Sequence, residues 1–228
     1  MKLVFVDIDN TLLDFDAYTE ETLKKGFEEF HLGTYDNHVL KVFHQENDIL
    51  WERIEKRTLT FEELKKIRFE IVFKRLGIDF DGPSFETYFR SQLNESAIVI
   101  DGAYSMLDYL KKKYILAVSS NGPYQQQMHR LHLAHMEDYF TYFFISEKVG
   151  YSKPDKRFFE VAFDEINQNR KELILPSDSL IIGDSLTSDM QGGVNYGIHT
   201  CLFDRKKKNT RRDFDYAIEN LRDVSKIL

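Results

Sequence analysis

The sequence predicts an α/β protein built on a doubly wound parallel sheet, with an all-helical module inserted after the first strand. Short, continuous apolar runs indicate strands that are buried on both faces, as they are in parallel sheets. Helix-length segments separate the later runs, which is typical of right-handed strand–helix–strand units. The apolar runs are Leu3–Val6, Ile115–Ser119, Phe143–Ser146, Leu180–Ile182 and Thr200–Phe203.

Segments between and after these runs are expected to complete the sheet domain. Tyr124–His135 and Phe158–Asn167 have the length of helices that connect parallel strands. A short strand near Tyr216–Ile218 is expected to add to the sheet. A helix at Leu221–Ile227, capped by Asn220, is expected to follow it.

The stretch between the first and second strands breaks this rhythm and contains no convincing strand. Thr60-Phe61-Glu62-Glu63 is a capping box, in which a hydroxyl and a carboxylate satisfy the first backbone N–H groups of a helix. Apolar residues then recur at helical spacing up to Leu76, and Gly77 stands where a left-handed C-cap belongs. Gly82-Pro83 has the chemistry of a turn. We therefore expect consecutive helices here.

Length and composition agree with this organisation. A chain of 228 residues fits one large α/β domain with a smaller inserted one, and 42% hydrophobic residues suffice for a sizeable core. We predict a core domain at residues 1–15 and 96–228, and a helical domain at residues 16–95.

Charge and cysteine content exclude several classes of protein. The net charge of −7 argues against a general nucleic-acid binder, and the single cysteine, Cys201, excludes an internal disulfide framework. The apolar run near the start of the sequence, Leu3–Val6, is only four residues long and ends at Asp7. A secretory signal needs roughly 7–15 apolar residues, and a membrane span needs ~20. We expect a cytoplasmic monomer or weak homodimer that binds neither nucleic acid nor membranes.

One basic run departs from the acidic balance of the chain. It consists of Arg205-Lys206-Lys207-Lys208, followed by Arg211 and Arg212. Such runs are usually solvated loops. The alternative is that this run, which follows the fifth strand, raises the local concentration of an anionic substrate.

Carboxylates follow two of the predicted strands. Asp7 and Asp9 come directly after the first strand, where two buried carboxylates are costly unless a cation compensates them. Asp184 and Asp189 follow the strand at Leu180–Ile182 and suit a hard cation such as Mg²⁺. Turn formation and helix capping are the alternatives for the two pairs. The more specific interpretation is a nucleophile and an acid/base partner beside a divalent cation.

Two further strands end in polar residues of a different kind. Ser119-Ser120-Asn121-Gly122 offers hydroxyl, amide and backbone N–H groups that could cradle phosphate oxygens, or it is an ordinary turn. Lys153 follows the third strand and, taken alone, would be a surface lysine. Ligands of open parallel sheets bind at the carboxyl ends of the strands. Four strands that each deliver a polar group to that edge indicate one common site.

The same residues carry a resemblance to a known family. Asp7-Ile8-Asp9-Asn10-Thr11-Leu12, Ser120-Asn121-Gly122, Lys153-Pro154, and Gly183-Asp184-Ser185 with Asp189 resemble the four motifs of the haloacid dehalogenase-like superfamily. They follow the order of that family and span most of the chain. The resemblance implies a Rossmann-like core with an inserted all-helical cap. It also implies a Mg²⁺-dependent phosphatase that acts on small phosphate esters.

The resemblance assigns roles residue by residue. It implies that Asp7 is the nucleophile, that Asp9 is the general acid/base, and that Ser120 and Lys153 bind phosphate as part of the catalytic set. The implied substrate-binding residues are Ser120, Asn121 and Lys153. The implied metal ligands are Asp7, Asp9 and Asp184, and Asp189 is expected beside the lysine and the metal waters.

A narrower resemblance lies in the helical insert. Its segments are similar to the branch that acts as pyrimidine-nucleotide 5′-monophosphatases, which implies nucleoside 5′-monophosphates as substrates. In that interpretation Trp51 stacks on a base, and an arginine or a backbone amide meets the edge of the base. The alternative is that Trp51 packs within the insert. The segments are Glu46-Asn47-Asp48-Ile49-Leu50-Trp51, Leu59-Thr60, Arg68-Phe69-Glu70, Arg75-Leu76 and, outside the insert, Phe144–Gly150.

Four other functions are alternatives. A dehalogenase lacks the second Asp and the metal, so Asp9 argues against that function. The enzyme could be a phosphatase of sugar phosphates or of phosphoglycolate. It could be a phosphomutase, although members of that kind usually carry Gly where Asn10-Thr11 stands here. A protein of the same fold that has lost turnover and serves a regulatory role belongs to a different class, and the intact set of motif residues argues against it.

Overall fold

The computed structural model describes residues 1–207 and 213–228. The strands are β1 (Leu3–Val6), β2 (Ile115–Ser120), β3 (Tyr142–Ile145), β4 (Ser179–Gly183), β5 (His199–Phe203) and β6 (Tyr216–Ile218). The helices are α1 (Phe15–Glu29), α2 (Asn37–Glu55), α3 (Phe61–Leu76), α4 (Gly82–Asn94), α5 (Ala103–Lys111), α6 (Tyr124–Leu133), α7 (Ser146–Val149), α8 (Lys156–Asn167) and α9 (Gln191–Tyr196).

The strands form one parallel sheet in the order β3-β2-β1-β4-β5-β6. The predicted doubly wound parallel sheet is confirmed. Predicted and observed strand ends differ by at most one residue. The expected final helix is a 3₁₀ helix at Leu221–Lys226, and the Asn220 side chain caps it by accepting from the Arg222 N–H.

The burial of both faces of the sheet explains why the apolar runs of its strands are continuous. Successive side chains of a strand point to opposite faces, and here each face has its own core. Val4 and Val6 belong to one buried cluster, which α5 also lines, whereas Leu3 and Phe5 belong to the other, which α8 lines. Every residue of β1 is therefore buried. Polar residues can follow only where the strand ends, at the carboxyl edge of the sheet.

The chain divides into two compact units, Met1–Asp14 with Ala97–Leu228 and Phe15–Ser96. The second unit contains α1 to α4 and a core rich in phenylalanine, for example Phe69 against Phe85 with ring centroids 4.7 Å apart. The predicted capping box at Thr60 is present, and Gly77 ends α3 with a φ of 69°. Gly82-Pro83 does not form a separate turn, because Asp81 caps α4 and places both residues in its first turn.

The basic run is described only in part, because Lys208, Arg211 and Arg212 lie outside the described residues. Arg205 pairs with Asp14, and the Lys207 Nζ lies 2.7 Å from a carboxylate oxygen of Glu219. Two of its described side chains are thus engaged in ion pairs. A search of residues 1–207 and 213–228 for a helix long and apolar enough to span a membrane finds none.

Candidate active site

The pairing of the central strands places the first predicted site residue at the carboxyl edge of the sheet. Val6 at the end of β1 lies opposite Val118 of β2 and Ile182 of β4. The backbone N–H of Asp7 continues this ladder by donating to the Ile182 carbonyl at 2.9 Å. Asp7 is therefore held by the backbone of the sheet itself.

Lys153 brings the site together through one buried ammonium group. Its Nζ donates to Asp7 Oδ1 at 2.9 Å, to Asp189 Oδ1 at 2.5 Å and to the Ser119 carbonyl at 2.5 Å. An ammonium group has three donors, so these three acceptors use all of them. The expectation of one common site agrees with this convergence of Lys153 and Asp7, and the role of Lys153 in binding phosphate stays a prediction.

Asn121 fixes the backbone from which Lys153 projects. Its Nδ2 donates to the Lys153 carbonyl at 2.8 Å, and its Oδ1 accepts from the Lys153 N–H at 2.9 Å. The same Nδ2 lies 3.1 Å from Ser188 Oγ. The amide group of Asn121 is thus occupied by the loop that carries Lys153, and its role in substrate binding stays a prediction.

Asp184 and Asp189 complete an acidic cluster with Asp7. Each of the three offers a carboxylate oxygen within 4.8 Å of the others. Asp189 reaches this position across Gly183, where a Cβ atom would lie 2.2 Å from Asp189 Oδ2. Only glycine fits there, and the backbone N–H of Ser185 donates to the same Asp189 oxygen at 3.1 Å.

The electrostatics of this cluster call for a further cation. Burial raises the pKa of Asp7 to about 8; the charge of Lys153 opposes this rise and that of Asp189 adds to it. Burial works to lower the pKa of Lys153, but the charges of Asp189 and Asp7 outweigh it and raise that pKa. The ammonium group of Lys153 pairs with two of the three carboxylates of this cluster, those of Asp7 and Asp189. Hard oxygen donors with excess negative charge fit Mg²⁺.

Asp9 stands apart from the acidic cluster. Its Oδ1 accepts from Arg130 Nη1 at 2.6 Å, and its Oδ2 accepts from Gln127 Nε2 at 2.7 Å. Its side chain is 34% exposed, whereas Arg130 is almost completely buried. The predicted roles of Asp9 as acid/base and metal ligand stay predictions.

Gln127 and Arg130 are site residues that the sequence analysis missed. They lie three positions apart on α6, on the face that also carries the core residue Leu131. An arginine in a core-facing register of an amphipathic helix was the available signal. The same Gln127 Nε2 also donates to the hydroxyl of buried Ser120 at 2.8 Å.

In the helical unit, two residues from the segments of the narrower resemblance, Arg68 and Trp51, are engaged in packing. Arg68 is 4% exposed, and its guanidinium group donates to Glu86 at 2.7 and 2.9 Å and to Asn47 at 3.1 Å. The donors of Arg68 are therefore committed inside the unit; the expected contact of an arginine or a backbone amide with a base edge is assigned to no particular residue and stays a prediction. Trp51 packs against Phe61 with ring centroids 5.9 Å apart, as the packing alternative expects.

Comparisons with known proteins find the family that the motifs resemble. The family model of the haloacid dehalogenase-like hydrolases matches residues 1–197. The pyrimidine 5′-nucleotidase PynA of Streptococcus pneumoniae is 32% identical over 227 residues, which cover 98% of this chain and 93% of that protein. The pyrimidine 5′-nucleotidase YjjG of Escherichia coli is 29% identical over 198 residues, covering 87% and 84%.

A solved structure extends the similarity to the backbone. The crystal structure of the HAD-hydrolase YfnB from Bacillus subtilis, described as bound to magnesium, matches with a TM-score of 0.86 and 31% identity. The match covers 99% of this chain and 97% of the YfnB chain.

Proposed function

The chain belongs to the haloacid dehalogenase-like hydrolase family, and we propose that it is a Mg²⁺-dependent phosphatase with pyrimidine nucleoside 5′-monophosphates as its preferred substrates. The observation that carries the proposal is the buried contact of Lys153 with Asp7 and Asp189 at the carboxyl edge of the sheet. It joins a carboxylate nucleophile to a cation that can offset phosphoryl charge. Phosphoryl transfer depends mainly on such positioning and charge stabilisation.

In the first proposed step, a carboxylate oxygen of Asp7 attacks phosphorus. The bond from phosphorus to the leaving oxygen breaks, an aspartyl-phosphate forms on Asp7, and Asp9 gives its proton to the departing alkoxide. Lys153 holds Asp7 Oδ1 at 2.9 Å and so fixes the orientation of the nucleophile. Ser120 and Lys153 are the proposed contacts for the phosphoryl oxygens, and Lys153 would exchange one of its three present acceptors for a phosphoryl oxygen.

In the second step, Asp9 takes a proton from water, and the resulting hydroxide attacks the phosphorus of the aspartyl-phosphate. Inorganic phosphate leaves, and the Asp7 carboxylate and protonated Asp9 are restored. The proposed ligands of Mg²⁺ are Asp7, Asp9 and Asp184, with Asp189 beside them; when bound, the ion supplies charge stabilisation for the phosphoryl group.

Two relatives support the substrate class. PynA and YjjG are both named as pyrimidine 5′-nucleotidases and align over most of this chain. Other, less similar relatives are named as phosphatases of sugar-derived phosphates, among them the glyceraldehyde 3-phosphate phosphatase of Pyrococcus furiosus at 23% identity. The experiment therefore has to compare nucleoside monophosphates with sugar phosphates as substrates.

The experiment is a kcat/KM panel with Mg²⁺, using dUMP, dTMP, dAMP, glucose 6-phosphate and phosphoglycolate. We expect dUMP and dTMP to exceed the other substrates by about tenfold or more, a difference of ~1.4 kcal/mol in transition-state binding. A higher value for phosphoglycolate or glucose 6-phosphate would overturn the nucleotidase assignment and leave the phosphatase assignment standing. No phosphate release from any substrate would overturn both.

A further inference from the structure

A closed hydrogen-bond network joins Asp9 to Ser120 through α6. Arg130 Nη1 donates to Asp9 Oδ1 at 2.6 Å and to Gln127 Oε1 at 2.9 Å. Gln127 Nε2 donates to Asp9 Oδ2 at 2.7 Å and to Ser120 Oγ at 2.8 Å. Gly122 makes room for this amide, because a Cβ atom there would lie 3.1 Å from Gln127 Nε2.

The network fixes the orientation of the Gln127 side chain. Both hydrogens on its nitrogen have an acceptor, and its oxygen accepts from Arg130. A rotated amide would aim its oxygen at the Asp9 carboxylate and its nitrogen at the Arg130 guanidinium, so both contacts would become repulsive. Since Gln127 and Arg130 are both buried, the lost hydrogen bonds could not be replaced by water.

Two consequences follow for the groups to which the proposed mechanism assigns chemistry. Both carboxylate oxygens of Asp9 accept a hydrogen bond, one from Arg130 and one from Gln127. These two hydrogen bonds restrict the orientation of the carboxyl group and therefore the direction in which it can deliver a proton. The Ser120 oxygen accepts from Gln127, and a hydroxyl has one hydrogen to donate. That hydrogen is therefore left for another acceptor, such as a phosphoryl oxygen.

We infer that Gln127 and Arg130 are positioning residues: Arg130 acts through Asp9, and Gln127 acts through both Asp9 and Ser120. This inference rests on the proposed phosphatase function. It assigns different consequences to the two residues, because Asp9 serves the leaving group whereas Ser120 serves the phosphoryl group that all substrates share.

The test compares dUMP, whose alkoxide leaving group needs protonation, with p-nitrophenyl phosphate, whose leaving group does not. For Arg130→Met we expect kcat/KM for dUMP to fall about 10²-fold, the lower end of what general acid catalysis contributes, and that for p-nitrophenyl phosphate to fall less than about threefold. Arg130→Lys keeps a cation at this place and should recover part of the loss. Gln127→Leu should lower kcat/KM for both substrates.

Double variants separate positioning from a loss of folded protein. In the Asp9→Asn background, Arg130→Met should cause no further loss with dUMP, and in the Ser120→Ala background, Gln127→Leu should cause little further loss with p-nitrophenyl phosphate. Gln125→Leu, on the exposed side of the same helix, is the matched control and should leave both rates unchanged.

Equal losses on both substrates in Arg130→Met, or losses of Asp9→Asn and Arg130→Met that multiply in the double variant, would overturn the inference while the phosphatase assignment stands. A wild-type protein that hydrolyses neither substrate would overturn the proposed function, and the inference with it.

Discussion

Lys153 and Asp7 lie 146 residues apart in the sequence, yet their buried side chains share a hydrogen bond of 2.9 Å. The backbone of β1 carries Asp7 to the sheet edge, and Asn121 at the end of β2 holds the backbone of Lys153. The same ammonium group also forms an ion pair with Asp189, so one buried positive charge partly offsets the negative charges of two carboxylates. A change at Lys153 must therefore affect both the stability and the chemistry of the site.

Lys153→Met keeps most of the length of the side chain but removes its charge. In EDTA we expect a loss of about 3–5 kcal/mol in the free energy of unfolding, because Asp7 and Asp189 remain buried without their cation. Activity should fall about 10²–10³-fold. Urea unfolding and phosphate release measure the two effects.

Lys156→Met is the matched control, since the Lys156 side chain is 67% exposed. It should change the free energy of unfolding by no more than about 0.5 kcal/mol. A Lys153→Met protein as stable as this control would contradict the role given to the buried ammonium group.

Metal dependence follows from the acidic cluster. EDTA should abolish turnover, Mg²⁺ should restore it, and Zn²⁺, which prefers nitrogen and sulfur ligands, should restore it poorly. At 100 times its Kd, Mg²⁺ should stabilise the protein by about 2.7 kcal/mol, visible as a rise in Tm. Asp184→Asn should reduce this rise strongly.

The exposed helical carboxylate Asp164 provides the control for that measurement. Asp164→Asn should keep the full Mg²⁺-dependent rise in Tm. Full activity of metal-free protein, or an unchanged response in Asp184→Asn, would argue against a metal held by this cluster.

The buried ion pair of the helical unit gives a prediction that does not depend on function. Arg68→Met leaves Glu86 buried and unpaired, so we expect a loss of about 3–5 kcal/mol. Replacing both partners, as Arg68→Met with Glu86→Leu, should recover at least half of that loss. Trp51, the single tryptophan of the chain, lies in the same unit and reports its unfolding by fluorescence.

A half-exposed arginine on the same helix serves as the comparison. Arg75 pairs with Glu46 and has a side chain that is 45% exposed, so Arg75→Met should cost less than about 1 kcal/mol. Equal losses in Arg68→Met and Arg75→Met would show that burial does not set the value of these pairs.

Cys201 should be inert in the folded protein. Burial raises the pKa of its thiol to about 12, so the proton stays on sulfur at neutral pH. The folded state holds this proton more tightly than the unfolded chain. The resulting stabilisation is present below about pH 9 and is lost as the pH rises towards 12.

A thiol reagent at pH 8 should therefore modify native protein slowly and denatured protein completely. The free energy of unfolding of wild type, relative to Cys201→Ala, should decrease between pH 8 and pH 10.5. Rapid labelling of the native thiol would contradict the buried position.

The sheet was predictable because the strands of a doubly covered sheet are mostly apolar runs, as Leu3–Val6 illustrates. Strand ends were less certain, since backbone pairing extends β2 to polar Ser120. The convergence of Asp7, Lys153 and Asp189 followed from topology, because parallel strands bring their carboxyl ends to one edge.

Partners within a folded unit were not predictable. Arg68 lies in a segment that resembles the nucleotidase branch of the family. Its guanidinium group, however, forms a buried ion pair with Glu86, 18 residues away in the sequence. Periodicity places Gln127 and Arg130 on a buried helix face without saying that Asp9 lies opposite them. Which polar groups meet depends on side-chain geometry that a pattern of residue types does not contain.

The central claim is that Asp7 carries the phosphoryl group during turnover. The most direct test is to mix the Mg²⁺-loaded protein with ³²P-labelled dUMP, quench in acid within milliseconds to seconds, and map the labelled peptide. We predict label on the peptide that contains Asp7 in wild type and no label and no phosphate release in Asp7→Asn. Label on a different residue, or phosphate release by Asp7→Asn at the wild-type rate, would contradict the account.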